Sequence, residues 1–121
     1  MKLTIFNNQN LICTGRGGTI ISIQIDEILY IKSEKRLLNI NINQECISIY
    51  GKLEELMELL QLDMLLCNRS TAVNMKYIRL INSQIIRLKS GEEFNISRRR
   101  KEEIKQKYME YIKKGLVSTN P

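Results

Sequence analysis

Histidine and tryptophan are absent from this chain of 121 residues. Without histidine the commonest general base and the commonest transition-metal ligand are gone. Cysteine is scarce: Cys13, Cys46 and Cys67 lie 33 and 21 residues apart. That spacing fits no zinc or redox motif, and an odd count does not make a disulfide framework. Each is expected to be a small buried hydrophobe. Long apolar runs are missing too, none approaching the ~18 residues that cross a bilayer. The opening "MKLTIFNNQN" has one lysine and a broken apolar stretch, so it is no secretory signal. The expected location is cytoplasmic, with no membrane insertion.

Catalytic constellations are equally thin. The acid–base groups left are carboxylates, and most glutamates fall on outward helix faces. Asp26 and Glu27 are adjacent at a strand entry, where successive side chains point apart. Ser70, Thr71 and Ser97 have no evident base beside them. No enzymatic activity, metal or cofactor is expected.

What the chain does have is enough material for one domain. At 43% hydrophobic and 26% charged residues it has ordinary globular composition, and its length supports a real core. The net charge of +6 is unevenly spread. Residues 1–60 carry six Lys/Arg against seven Asp/Glu, whereas residues 61–121 carry thirteen against six. A positive half of this kind points to a polyanionic partner, nucleic acid first and an anionic membrane surface second.

Period-two patterns dominate. "L11-I-C-T-G-R-G-G-T-I-I-S-I-Q-I" reads as a hairpin around its glycines. Its G-R-G-G is a turn rather than a phosphate cradle, because a strand and not a helix follows. In "R36-L-L-N-I-N-I-N" Leu38, Ile40 and Ile42 alternate with Asn39, Asn41 and Asn43, and "C46-I-S-I-Y" is the partner strand. One wet face implies antiparallel pairing. The period becomes helical near 52–61, where Leu53, Leu56, Met57 and Leu60 share a face and Glu54, Glu55 and Glu58 face water. Short strands are expected at "M64-L-L-C", "Y77-I-R-L-I", "Q84-I-I-R-L-K" and "F94-N-I". A last helix over 98–112 carries Ile104, Tyr108, Tyr111 and Ile112 on one side. The fold class is mainly β, with antiparallel sheets and flanking helices.

Three polar, basic stretches lie between the apolar runs. "S33-E-K-R" puts Lys35 and Arg36 in a turn at a sheet end. "N68-R-S-T-A-V-N-M-K" offers Arg69, Ser70, Asn74 and Lys76 in a non-periodic segment, where Asn74 could instead cap a turn at Met75–Tyr77. "S97-R-R-R-K" opens the last helix with Arg98, Arg99, Arg100 and Lys101 behind Ser97, a candidate N-cap. Four cations there oppose the helix dipole, at about 0.3–1 kcal/mol per exposed charge. An arginine can hold a phosphate or fork onto guanine, and an asparagine can pair with an adenine edge.

These stretches, in this order, resemble the LytTR family of bacterial DNA-binding domains. The similarity begins near "T14-G-R-G-G-T-I-I-S-I-Q-I-D-E-I-L-Y-I-K" and passes through "I49-Y-G-K-L-E-E-L" and "N68-R-S-T-A-V-N-M-K-Y-I". It closes with "K89-S-G-E-E-F-N-I-S-R-R-R", covering roughly residues 10–112. The resemblance implies an elongated β-β-β sandwich that meets successive major grooves with loops, at imperfect direct repeats in promoters, and bends the DNA. Carried to this chain, it implies base contacts from Lys35, Arg36, Asn74, Arg98 and Arg99, with Arg99 preferred in the arginine run. Arg69, Ser70, Lys76, Arg100 and Lys101 become candidates for phosphate contacts. Asn68 stands where the family often has histidine, and Leu66 where it often has arginine.

The organisation expected is a leader over 1–9, the DNA-binding domain over 10–113 and a tail over 114–121. With only about ten residues ahead of the match, a stand-alone regulator without a receiver domain is expected. The function expected is sequence-specific binding of duplex DNA and regulation of transcription, possible as a homodimer on DNA. Two other readings stay open: an interaction module controlled by a protein antagonist, and a non-specific binder of RNA or anionic membranes.

Overall fold

Glycine shapes the turn between the second and third strands. The computed structural model describes residues 2–60 and 63–119. Strands β1 (Lys2–Phe6), β2 (Asn10–Thr14) and β3 (Ile20–Gln24) form an antiparallel sheet in that order. The β2–β3 turn holds Gly17 and Gly18 at φ 70 and 75, left-handed values that glycine adopts without a Cβ penalty. Strand β1, in the segment read as a leader, pairs with β2 from Lys2 opposite Thr14 to Phe6 opposite Asn10.

The central sheet has five antiparallel strands. These are β4 (Ile28–Glu34), β5 (Leu37–Ile42), β6 (Glu45–Tyr50), β7 (Met64–Asn68) and β8 (Thr71–Asn74), in the order β6-β5-β4-β8-β7. A third sheet, β11-β10-β9, is built from β9 (Ile78–Ile81), β10 (Ile85–Leu88) and β11 (Glu93–Asn95). Helix α1 (Leu53–Leu60) buries Leu53, Leu56 and Leu60 and leaves its glutamates exposed. Position 61 of the expected helix lies outside the described residues, as do positions 1, 120 and 121 of the expected leader and tail.

Alternation along the central strands divides the core in two. Leu38, Ile40, Ile31 and Ala72 join the first sheet and α1 in one cluster. Leu65, Cys67 and Val73 join the third sheet and α2 (Lys101–Thr119) in the other, with Ile104 buried and Tyr108 and Tyr111 against it. The result is layered antiparallel sheets with helices outside, the expected fold class.

Three local expectations need correction. Residues 71–74, read as non-periodic loop, form β8. All four are buried because both faces of the strand are covered, so no polar–apolar alternation marks it. Helix α2 runs to Thr119, past the 112 expected, and opens with a single 3-10 turn over Arg98–Arg100. Cys46 is exposed, because along β6 it alternates with the inward Ile47 and Ile49, whereas Cys13 and Cys67 are buried.

Candidate nucleic-acid interface

Strand direction decides which basic residues meet. Strand β4 ends at Glu34 where β8 begins at Thr71, since Lys32 lies opposite Thr71. The Ser33 N–H donates to the Ser70 carbonyl at 2.7 Å, carrying the pairing one step further. Hence the β4–β5 turn, with Lys35 and Arg36, and the β7–β8 turn, with Arg69 and Ser70, stand at the same end of the sheet. Lys35 has φ 58, the left-handed geometry of a tight hairpin turn.

The arginine run joins them from outside the sheet. The Ser97 N–H donates to the Cys67 carbonyl at 2.9 Å, along the free edge of β7. Asn68, marked in the sequence only as a departure from the family's frequent histidine, locks this junction: its Nδ2 donates to the Asn95 carbonyl at 2.8 Å. Its Oδ1 accepts from the Ser70 N–H at 3.0 Å and the Ser70 hydroxyl at 3.2 Å. One asparagine therefore fixes both the Arg69 turn and the approach to Arg98. The signal available in the sequence was its place just before Arg69-Ser70, where an Asx turn is favoured.

Across the sheet end the order is Lys35/Arg36, then Arg69, then Arg98–Arg100. Strands lie about 4.8 Å apart, so the row spans roughly 17 Å of backbone. Lys35, Arg36, Arg69, Arg98 and Arg99 are all exposed. Among the described residues none of the five has an acidic partner; Arg100 alone in the row approaches one, Glu103 at 3.8 Å. Lys101 is half-buried at the start of α2. A hollow beside the row is lined by Lys32, Asn68, Ser70 and Ser97, among others. Lys32 is a further exposed cation that the sequence reading did not single out, although its alternation with buried Ile31 marks it as outward.

Ser97 holds the N-cap position with extended backbone but makes no side-chain cap. Its carbonyl instead accepts from the Arg100 N–H at 3.0 Å, closing the 3-10 turn. The three arginines are thus displayed on a tight turn ahead of the α-helix proper, with Glu102 and Glu103 in the first α-helical turn, where acids suit the dipole.

Two candidates lie elsewhere. Asn74 is 3% exposed. Its Nδ2 donates to the Ile28 carbonyl at 2.9 Å and its Oδ1 accepts from the Lys76 N–H at 3.1 Å. Both ends of its amide are committed to the fold, and it caps the turn Met75–Tyr77. Ser70 and Asn74 are four residues apart on an extended strand, so about 13 Å separates Asn74 from the basic end. Lys76 follows at that far end, over the Tyr77 ring at 5.5 Å, beside a cleft that Asp26 and Asp63 also line. Neither residue joins the cationic row.

The described residues hold no cluster of three or more acids or cysteines placed to bind a metal. No described helix is long and apolar enough to cross a membrane.

A family model described as the LytTr DNA-binding domain matches residues 18–109. The fold is also similar to a solved structure, the LytTr DNA-binding domain of a protein described as a methyl-accepting/DNA response regulator from Bacillus cereus. That comparison gives a TM-score of 0.66 at 18% identity, over 84% of this chain and 96% of the other. No curated protein matches this chain.

Proposed function

The chain belongs to the LytTR family of DNA-binding domains, and from that premise we propose that it binds duplex DNA sequence-specifically through the basic end of its central sheet, and so regulates transcription. The observation that carries this reading is the convergence of unpaired cations from three distant segments, 35–36, 69 and 98–99, on one sheet end. Surface cations of purely solubilising value need no such convergence.

A row of roughly 17 Å of backbone exceeds the ~12 Å width of one major groove. The turns would therefore straddle a phosphate ridge, with the outer ones entering grooves on either side. Arg99 and Arg69 are assigned to base edges. The reading role expected of Asn74 passes to Arg69, because the Asn74 amide is occupied and Arg69 stands at a hairpin tip. Lys35, Arg36, Arg98 and Arg100 are assigned to phosphates, and Lys32 to the hollow behind them. DNA then offsets the repulsion within Arg98–Arg100 that the free protein carries against its own helix dipole. Directly repeated promoter sites and bending are the mode of binding this arrangement would serve.

Selection of bound duplexes from a random-sequence pool, followed by mobility shift, tests the reading. An enriched motif is expected. Arg99→Ala should cost about 1–3 kcal/mol at one base position, whereas Lys35→Ala should weaken every duplex alike. Recovery of no motif, with equal affinity for all duplexes and for RNA, would leave only a non-specific polyanion binder.

A further inference from the structure

Charge is sorted at the lateral edges of the central sheet as well. Next to the β6 edge of the central sheet, a broad groove is lined by Leu3, Tyr50, Met57 and Leu59, with Glu55 and Glu58 at its rim and Lys2 on its β1 side. Tyr50 is 67% exposed and Leu59 38% exposed. Glu54 extends the acidic face along α1, and none of the three glutamates has an ion-pair partner among the described residues.

The opposite edge carries the complement. Helix α2 lies along β7, packing Ile104, Tyr108 and Tyr111 inward. Burial raises the Tyr111 phenol above its ordinary pKa, and the charge of Asp63 adds to it, which places this part of α2 near the start of β7. The outward face shows Met109, 50% exposed, with Lys105 and Lys113 four residues to either side. Residues at i and i±4 share one helix face, so this is an apolar tip between two cations. Neither lysine has an acidic partner among the described residues.

We propose that a second copy of this chain docks here: the Lys105–Met109–Lys113 face of one copy enters the Glu55–Leu59–Tyr50 groove of the next. The contact joins opposite edges of the five-stranded sheet, so it is heterologous and propagates head to tail. An isologous dimer would pair like edges instead. Reinforcement of this contact by DNA rests on the function proposed above; the contact itself does not. Exposed ion pairs around a small apolar centre make a weak interface, strengthened when DNA holds the copies side by side.

The test uses the full chain without DNA, so its outcome is independent of whether the basic end binds a duplex. In a Cys46→Ser background, Leu59→Cys and Met109→Cys proteins are oxidised alone and mixed. Disulfide-linked dimers are expected from the mixture and not from either protein alone. Glu55→Lys/Glu58→Lys in the Leu59→Cys partner should lower the yield severalfold, as should raising salt from about 0.05 M to about 0.5 M. Adding Lys105→Glu/Lys113→Glu to the Met109→Cys partner should restore it. Circular dichroism of each variant guards against misfolding. Cross-linking of either protein with itself as efficiently as in the mixture would overturn the head-to-tail contact, and so would a yield indifferent to the charge reversals. Absence of a mixed dimer from folded proteins at high concentration would overturn it as well.

Discussion

At the scale of single residues, two asparagines and three cysteines show how burial reassigns chemistry. Asn74 has the side chain a base reader needs, yet it bridges the Ile28 carbonyl and the Lys76 N–H in the interior. Asn74→Ala should therefore destabilise the fold by about 1–3 kcal/mol, the cost of orphaned buried polar groups, without relaxing DNA preference; urea unfolding and mobility shift together measure this. The cap on Met75–Tyr77 was legible locally, but the bond to Ile28 was not, because that partner is 46 residues away in the chain. Asn68 works through its neighbours, tying the Arg69 turn to Asn95. The thiols separate by exposure in the same way. Burial pushes Cys67 up to about 12 and raises Cys13, while Cys46 stands on an open edge. A native-state thiol assay near neutral pH should therefore count one reactive cysteine, and the unfolded chain three. The sign of the pH dependence follows from the raised folded-state value. Cys67 contributes fully below its unfolded value near 9.0, and that contribution is lost as pH rises towards about 12. Tyr30 and Tyr111, also raised, act in the same direction. Stability measured by denaturant titration should fall across that alkaline window, less steeply in Cys67→Ala.

At the scale of elements, the turn Arg98–Arg100 sets stability against binding. Replacing Arg98 by glutamate puts an acid where the helix dipole favours one, a gain of about 0.3–1 kcal/mol. The same change removes a cation from the row, so Arg98→Glu should raise the thermal midpoint and weaken DNA binding together. A variant that loses both would show that the turn is needed for folding rather than for DNA. The elements most legible in the sequence were those with one wet face. Leu38 and Ile40 against Asn39 and Asn41 marked β5, and Leu53, Leu56 and Leu60 against three glutamates marked α1. Strand β8 was illegible for the opposite reason: Thr71–Asn74 is covered on both faces. Strand β1 had alternation, Leu3 and Ile5 half-buried, but five residues at a terminus are too few to weigh without the β2 partner that the fold supplies. Of the candidate site, the residue types and the three segments were visible. Their convergence was not, since it depends on β4 pairing with β8 and on Ser97 reaching Cys67.

At the scale of the whole molecule, the positive charge of the C-terminal half is sorted to separate places. The arginines of 69 and 98–99 join Lys35 and Arg36 from the otherwise acidic half at one end of the sheet, while Lys76 stands at the other. Lys35, Arg36, Arg98 and Arg100, assigned to phosphates, imply release of about four counterions, a slope of log K against log salt of about −3.5 to −4, shallower by roughly one for each of them removed. The most direct test of the basic end as the DNA-binding surface compares substitutions at its two ends on one selected duplex and a scrambled one. Arg69→Ala and Arg99→Ala should each lose about 1–3 kcal/mol of the discrimination between the two duplexes, and Lys76→Ala should leave affinity, discrimination and salt slope unchanged. If Lys76→Ala weakens binding as much as the arginine variants, or if Arg69→Ala and Arg99→Ala discriminate as well as the native chain, DNA is not read at this end of the sheet.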